Sequence, residues 1–160
     1  MSVAHLPRRV GEECGAHHAR CKSKLGVKSS AVDRRSTIMV ADDDVEALRR
    51  SASALVNAGY HVVSATDGRT ALQEALTRRV DLIIMDVSIP QLSGVETCHC
   101  LKAMPKTQKI PVVLTAAKKD PAAKALAERT QGSVRVLRKP FADEDLLSVV
   151  RQVARPKSLI

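Results

Sequence analysis

The chain has 160 residues and carries 26 Lys or Arg against 17 Asp or Glu, a formal net charge of +9. That length suits one domain around a single core, and no run approaches the ~18 apolar residues that a membrane-spanning helix needs. One Tyr, one Phe and no Trp leave the core to aliphatic side chains and argue against binding nucleic acid by base stacking.

The charge is unevenly spread. Residues 1–36 hold eight Lys or Arg against three acids, and residues 37–160 hold eighteen against fourteen. The first segment has no usable apolar periodicity and reads as a disordered basic extension. Regular patterning begins abruptly at Thr37, as it would behind an over-extended start. The N-terminus lacks the apolar core of a signal peptide, and four Cys fit a reduced chain better than a disulfide framework. The expected compartment is therefore the cytoplasm. Within the extension, "CGAHHARC" (14–21) offers two Cys and two His. So tight a loop is poorly shaped for a closed tetrahedral zinc site, and no metal is expected there.

From Thr37 onward, strand and helix patterns alternate. "TIMVA" (37–41) is a short β-branched apolar run, and Val45, Leu48, Ala52, Leu55 and Val56 follow at helical spacing up to a stop at Gly59. "HVVSA" (61–65) is a second, weaker strand, and Ala71, Leu72, Ala75 and Leu76 mark a short helix. The third strand, in "DLIIMDVSIP" (81–90), ends its apolar run on Asp86. Ser93 is the expected N-cap of a helix through about Met104, and "IPVVLTA" (110–116) is the fourth strand. Asp120-Pro121 supplies an N-cap and a first-turn Pro for the fourth helix. "VRVL" (134–137) is the fifth strand, and Asp143 to Val153 a last helix with acids in its first turn. "CHC" (98–100) sends its two Cys to different faces of a helix, which makes Cys98 a small core residue.

Five strands alternating with five helices predict an α/β fold: a doubly wound, five-stranded parallel sheet in the flavodoxin-like order 2-1-3-4-5. Ligands of such sheets sit beyond the carboxyl ends of the strands. Asp42 and Asp43 close the first strand there, Asp86 the third, Thr115 the fourth and Lys139 the fifth. Two carboxylates ~6 Å apart repel by roughly 3 kcal/mol at an effective dielectric near 20, so the cluster must take up protons or a cation. An oxygen-only set with few protein ligands suits Mg²⁺. Carboxylate, metal, hydroxyl and ammonium together make a phosphoryl-transfer site with an Asp as covalent acceptor.

In "IMVADDD", "DLIIMDVSIPQLSGVE", "IPVVLTA" and "VLRKP", across Thr37–Ala154, the chain resembles response-regulator receiver domains of two-component signalling. The resemblance implies a receiver domain over residues 37–155, with 156–160 as a short tail, that accepts phosphate on Asp86 from a histidine kinase or phosphotransfer protein. It implies Mg²⁺ held by Asp42 (mainly through water), Asp43, Asp86 and the Ser88 backbone carbonyl, and a phosphoryl group held by Thr115 and Lys139. It also implies a binding protein and not an enzyme, with a downstream partner on the face of the fourth helix, fifth strand and fifth helix. After Ala154 only "RPKSLI" remains, so the expectation is a single-domain regulator that signals by protein contact.

Two departures stand out. The family usually has a Tyr or Phe three residues before the Lys, where this chain has Val136, and the segment from Thr115 to Lys139 is about two residues longer than usual. Val136 opens an alternative: a receiver-fold interaction module that no longer switches through phosphate. An aspartyl phosphatase with its nucleophile on the first strand would want Thr or Val where Glu46 stands. The basic residues between Lys118 and Arg151 read as a partner-binding surface, with no direct DNA binding expected.

Overall fold

Ten elements alternate along residues 36–154, the part of the chain described by the computed structural model. They are β1 (Thr37–Ala41), α1 (Val45–Asn57), β2 (His61–Ala65), α2 (Gly68–Thr77), β3 (Leu82–Asp86), α3 (Gly94–Ala103), β4 (Val112–Ala116), α4 (Pro121–Arg129), β5 (Val134–Arg138) and α5 (Asp143–Val153). The basic extension up to residue 35, with its Cys/His cluster, and the tail from residue 155 lie outside the described residues. Among those described, no helix is long and apolar enough to cross a membrane.

The strands form one parallel sheet in the order β2-β1-β3-β4-β5, as the pattern predicts. α1 and α5 touch each other, while α2 touches α3 and α3 touches α4. Central strands are buried throughout because successive side chains meet different helical layers. Met39, Ile83, Met85, Val112 and Leu114 belong to the cluster that also contains Ala71, Ala75, Cys98, Leu101 and Leu126. Period-two geometry sets Ile38, Val40, Leu82, Ile84 and Val113 on the opposite face. There the buried residues of α1 and α5 are Leu48, Leu55, Leu146 and Val150. Each large aliphatic side chain so buried contributes about 1.5–3 kcal/mol.

Local signals explain the helix ends. Asp44 accepts from the Glu46 and Ala47 N–H groups at the start of α1, and Gly59 leaves its end with φ of +99°, a conformation that favours glycine. Ser93 and Glu96 form a reciprocal capping box on α3. Asp120 caps α4 ahead of Pro121. Cys98 is fully buried, and that burial pushes its thiol up to about 11, so it is a core residue and no nucleophile.

One expectation fails. Spacing predicts Val45 and Val56 on the apolar stripe of α1, yet they are 56% and 55% exposed. The buried stripe is instead Leu48, Ser51, Ala54 and Leu55. The helix is turned so that Ser51, one turn on from Leu48, faces inward, and Ala52 is only half-buried.

The Ser36 carbonyl accepts from the His61 N–H at 3.1 Å, so the β1–β2 ladder begins one residue before β1 itself. Truncation after residue 35 is therefore expected to leave the circular-dichroism spectrum and the melting temperature unchanged within error. A drop of more than a few degrees would assign residues 1–35 a part in the fold.

Candidate functional site

β1 and β3 are parallel neighbours, paired up to Ala41 and Met85. Their carboxyl ends therefore deliver Asp42, Asp43 and Asp86 to one sheet edge. One carboxylate oxygen from each lies within 4.8 Å of the others; Asp42 and Asp86 are buried and Asp43 is exposed. At that spacing each pair repels by about 3–4 kcal/mol at an effective dielectric near 20. Something must offset it.

Lys139 does so in part. It follows β5, and its N–H donates to the Ala116 carbonyl at 2.9 Å, which fixes its root beside β4. Its Nζ donates to Asp42 Oδ2 at 2.8 Å and to Asp86 Oδ2 at 3.0 Å. The remaining oxygens are tied to backbone: the Asp44 N–H donates to Asp42 Oδ1 and the Ser88 N–H to Asp86 Oδ1, both at 3.0 Å. Each buried carboxylate is thus held between an ammonium and an N–H two residues ahead, which fixes its orientation. Burial alone would lower the pKa of Lys139, but the hydrogen bonds and charges of Asp42 and Asp86 outweigh it and leave it above the usual lysine value.

Thr115 is buried and lies directly across the ladder from Asp86. Asp42, Thr115 and Lys139 line one cavity of about 360 Å³, together with Arg50, Ser51 and Phe141. Ser88 is exposed and adjoins the site through its N–H. Val136 is not part of this cluster. Its register partner is Leu114, and it faces a separate hollow beside α4. Sequence reasoning missed Gly94, the first residue of α3: a Cβ there would stand 2.5 Å from the Asp86 carbonyl oxygen and 2.8 Å from the Val87 Cα. Its only trace in the sequence is a Gly directly after an N-cap.

The donor set is three carboxylates with no nitrogen or sulfur ligand. Such a hard, oxygen-only group can hold a divalent cation of the Mg²⁺ type. An ammonium already on two of the three carboxylates competes with it. Lys139→Met is expected to lower the metal-free melting temperature by the equivalent of about 1–2 kcal/mol, between a surface and a buried pair, and to enlarge the rise that Mg²⁺ produces. Because Lys139 has a raised pKa in the fold, its contribution is full below the unfolded lysine value and fades as pH rises through the folded one. The wild-type advantage should therefore persist at neutral pH and shrink in melts taken above about pH 10.

Five parallel strands in this order, with three carboxylates gathered beyond β1 and β3, give the CheY-like α/β fold of a signalling module. Residues 38–151 match the Response regulator receiver domain, and the chain belongs to that family. It is 40% identical to Response regulator MprA of Mycolicibacterium vanbaalenii over 121 residues, covering 74% of this chain and 50% of that one. The chain thus spans about half the length of the curated relatives it matches. Among solved structures, the chemotaxis response regulator CheY4 of Vibrio cholerae superposes with a TM-score of 0.68 at 28% identity, over 74% of this chain and 98% of that one. The receiver domain of a sensor histidine kinase from Pseudomonas aeruginosa, which holds a magnesium ion in its active-site cleft, shares the fold. Its TM-score is 0.66 at 22% identity, over 74% of this chain and 97% of that one.

Proposed function

We propose that the chain is a phospho-acceptor regulator: Asp86 takes a phosphoryl group from the phosphohistidine of a histidine kinase or phosphotransfer protein. One observation carries this reading. Asp86 is a buried carboxylate whose Oδ2 lies 3.0 Å from an ammonium and beside two further carboxylates. In the transfer, an Asp86 oxygen forms a bond to phosphorus as the donor's N–P bond breaks, and the electron pair returns to the imidazole. Bound Mg²⁺, held by Asp42, Asp43, Asp86 and the Ser88 carbonyl, would neutralise charge on the phosphoryl oxygens. Lys139 keeps its ammonium near the acceptor oxygen and can follow the charge onto the new phosphoryl group, while the Thr115 hydroxyl donates to it. A protein in this role works in the cytoplasm and passes its signal to a protein on the face formed by α4, β5 and α5.

The test is incubation with acetyl phosphate and Mg²⁺, read by intact mass. One phosphoryl increment is expected on the wild type and none on Asp86→Ala. Labelling that survives in Asp86→Ala would move the acceptor elsewhere.

A second reading is favoured by one observation: Val136, where the resemblance to receiver domains leads to a Tyr or Phe, is exposed and pairs in register with Leu114 and not with Thr115. A β-branched side chain has few rotamers through which to follow Thr115. On this reading the module binds its partner with little regard to phosphate. Beryllofluoride at Asp86 is then expected to change amide exchange across residues 118–138 only weakly, and partner affinity by less than the ~1–3 kcal/mol of ordinary allosteric coupling. A large change there would return the switch to the α4 segment.

A further inference from the structure

Between α4 and β5 lies a hollow of about 630 Å³, far from small for a domain of this size and within the ~300–1,000 Å³ typical of ligand-holding clefts. Its wall includes Val136, a large apolar side chain left 43% exposed. Ala116, Pro121 and Ala127 extend the apolar lining. Around it stand Lys118, Lys119, Lys124 and Arg138. Among the described residues none of these four cations lies within 4.0 Å of a carboxylate. Two acids, Asp120 and Glu128, share the rim. The Asp120 carboxylate is already engaged, accepting from the Ala122 and Ala123 N–H groups at 2.9 and 3.0 Å as the cap of α4. The hollow is therefore an apolar seat inside a rim on which four cations outnumber two acids.

We propose that this hollow receives an acidic peptide segment of the partner protein, anchored by one large apolar or aromatic side chain over Val136. The inference rests on the reading that the output partner binds at the α4–β5–α5 face, and it names that partner's chemistry. Four cations with no ion-pair partner among the described residues, against two acids, favour a ligand with several carboxylates, which steer its approach and fix its register. The uncovered Val136 wants a bulky side chain from outside, where burial yields most of the binding energy. Nucleic acid fits the rim but not the seat, because no aromatic ring is present in the hollow for a base to stack on.

Fluorescence anisotropy on the full chain tests this with a labelled dodecapeptide of Asp, Glu and Ser around one central Trp. Replacing the Trp by Ala should weaken binding about tenfold, as loss of an anchor does. Lys118→Glu with Lys124→Glu should weaken it at least about fivefold and flatten its salt dependence. Val136→Tyr, which fills the seat with the protein's own ring, should weaken the Trp peptide while leaving the Ala peptide unchanged. Charge reversal of Lys22, Lys24 and Lys28 should have no effect. Binding that ignores the Trp and Val136→Tyr, follows the N-terminal lysines, or is matched by a single-stranded DNA of equal charge would overturn the proposal. Asp86 labelling is read separately by mass, so loss of peptide binding with intact labelling removes this inference alone.

Discussion

Asp43→Asn is expected to abolish the response of the protein to Mg²⁺. In the wild type, for a site half-filled near about 1 mM, 10 mM Mg²⁺ stabilises by about 1.4 kcal/mol through linkage, which raises the melting temperature by roughly 3–8 °C. Asp43 decides this because it is the exposed member of the cluster, while Asp42 and Asp86 already share Lys139. Removing its charge takes away the one carboxylate of the three that, among the described residues, no ammonium occupies. The metal-free variant should melt at or slightly above the wild type, since a repulsive charge has gone. Labelling by acetyl phosphate should fall by about 100-fold or more, on the scale of losing an electrostatic clamp from phosphoryl transfer. Differential scanning fluorimetry across a Mg²⁺ titration, beside the mass assay, checks both. A wild-type melting point indifferent to millimolar Mg²⁺ would remove the metal from the account of this site.

Gly94→Ala is expected to damage fold and site together. The new Cβ would stand 2.5 Å from the Asp86 carbonyl oxygen and 2.8 Å from the Val87 Cα. Both obstacles are backbone, which no rotamer change clears. Either α3 lifts away or the end of β3 shifts, and overpacking of this kind costs about 1–3 kcal/mol, or roughly 5–15 °C in melting temperature. Because the obstructing carbonyl belongs to Asp86, the remaining folded protein should also bind Mg²⁺ more weakly. Ser93→Ala is the control: it loses the N-cap of α3 at about 1 kcal/mol without entering that space. Equal melting points for the two variants, or a Gly94→Ala protein with wild-type Mg²⁺ response, would show that the contact has slack.

The sheet order and the strand-end cluster were legible because the chemistry there is local. Each apolar run stops on its polar residue, and parallel pairing then carries those residues to one edge whatever else the chain does. Contacts between distant segments were not. Lys139 and Asp42 are 97 residues apart, and no period or spacing says that the ammonium rests on Asp42 and Asp86. Gly94 is hidden although its partners are near in sequence, since its meaning is a through-space distance to the backbone of Asp86 and Val87 that no spacing rule encodes. Val45 and Val56 failed differently. Helical periodicity finds a stripe but not where the sheet ends beneath it, and Ser51 took the inward place one turn after Leu48. The Ser36 carbonyl in the β1–β2 ladder lies just outside any apolar pattern, and only the pairing shows it.

The end of β4 has a mechanical consequence. On one side the Val87 N–H is tied to the Thr115 carbonyl at 3.0 Å, and on the other the Lys139 N–H is tied to the Ala116 carbonyl at 2.9 Å. The strand is clamped as far as Thr115 on its β3 edge and Ala116 on its β5 edge. Ala117, Lys118 and Lys119 then run exposed, outside any element, until Asp120 starts α4. The sheet is the fixed beam, and these three residues are the first free length of a cantilever whose arm is α4. Were a change beside Asp86 to press on this end of the sheet, bending would concentrate there, where backbone can rotate without breaking a ladder bond. Stiffening that length, for example with Ala117→Pro, would change how far the arm travels while leaving the beam as it is.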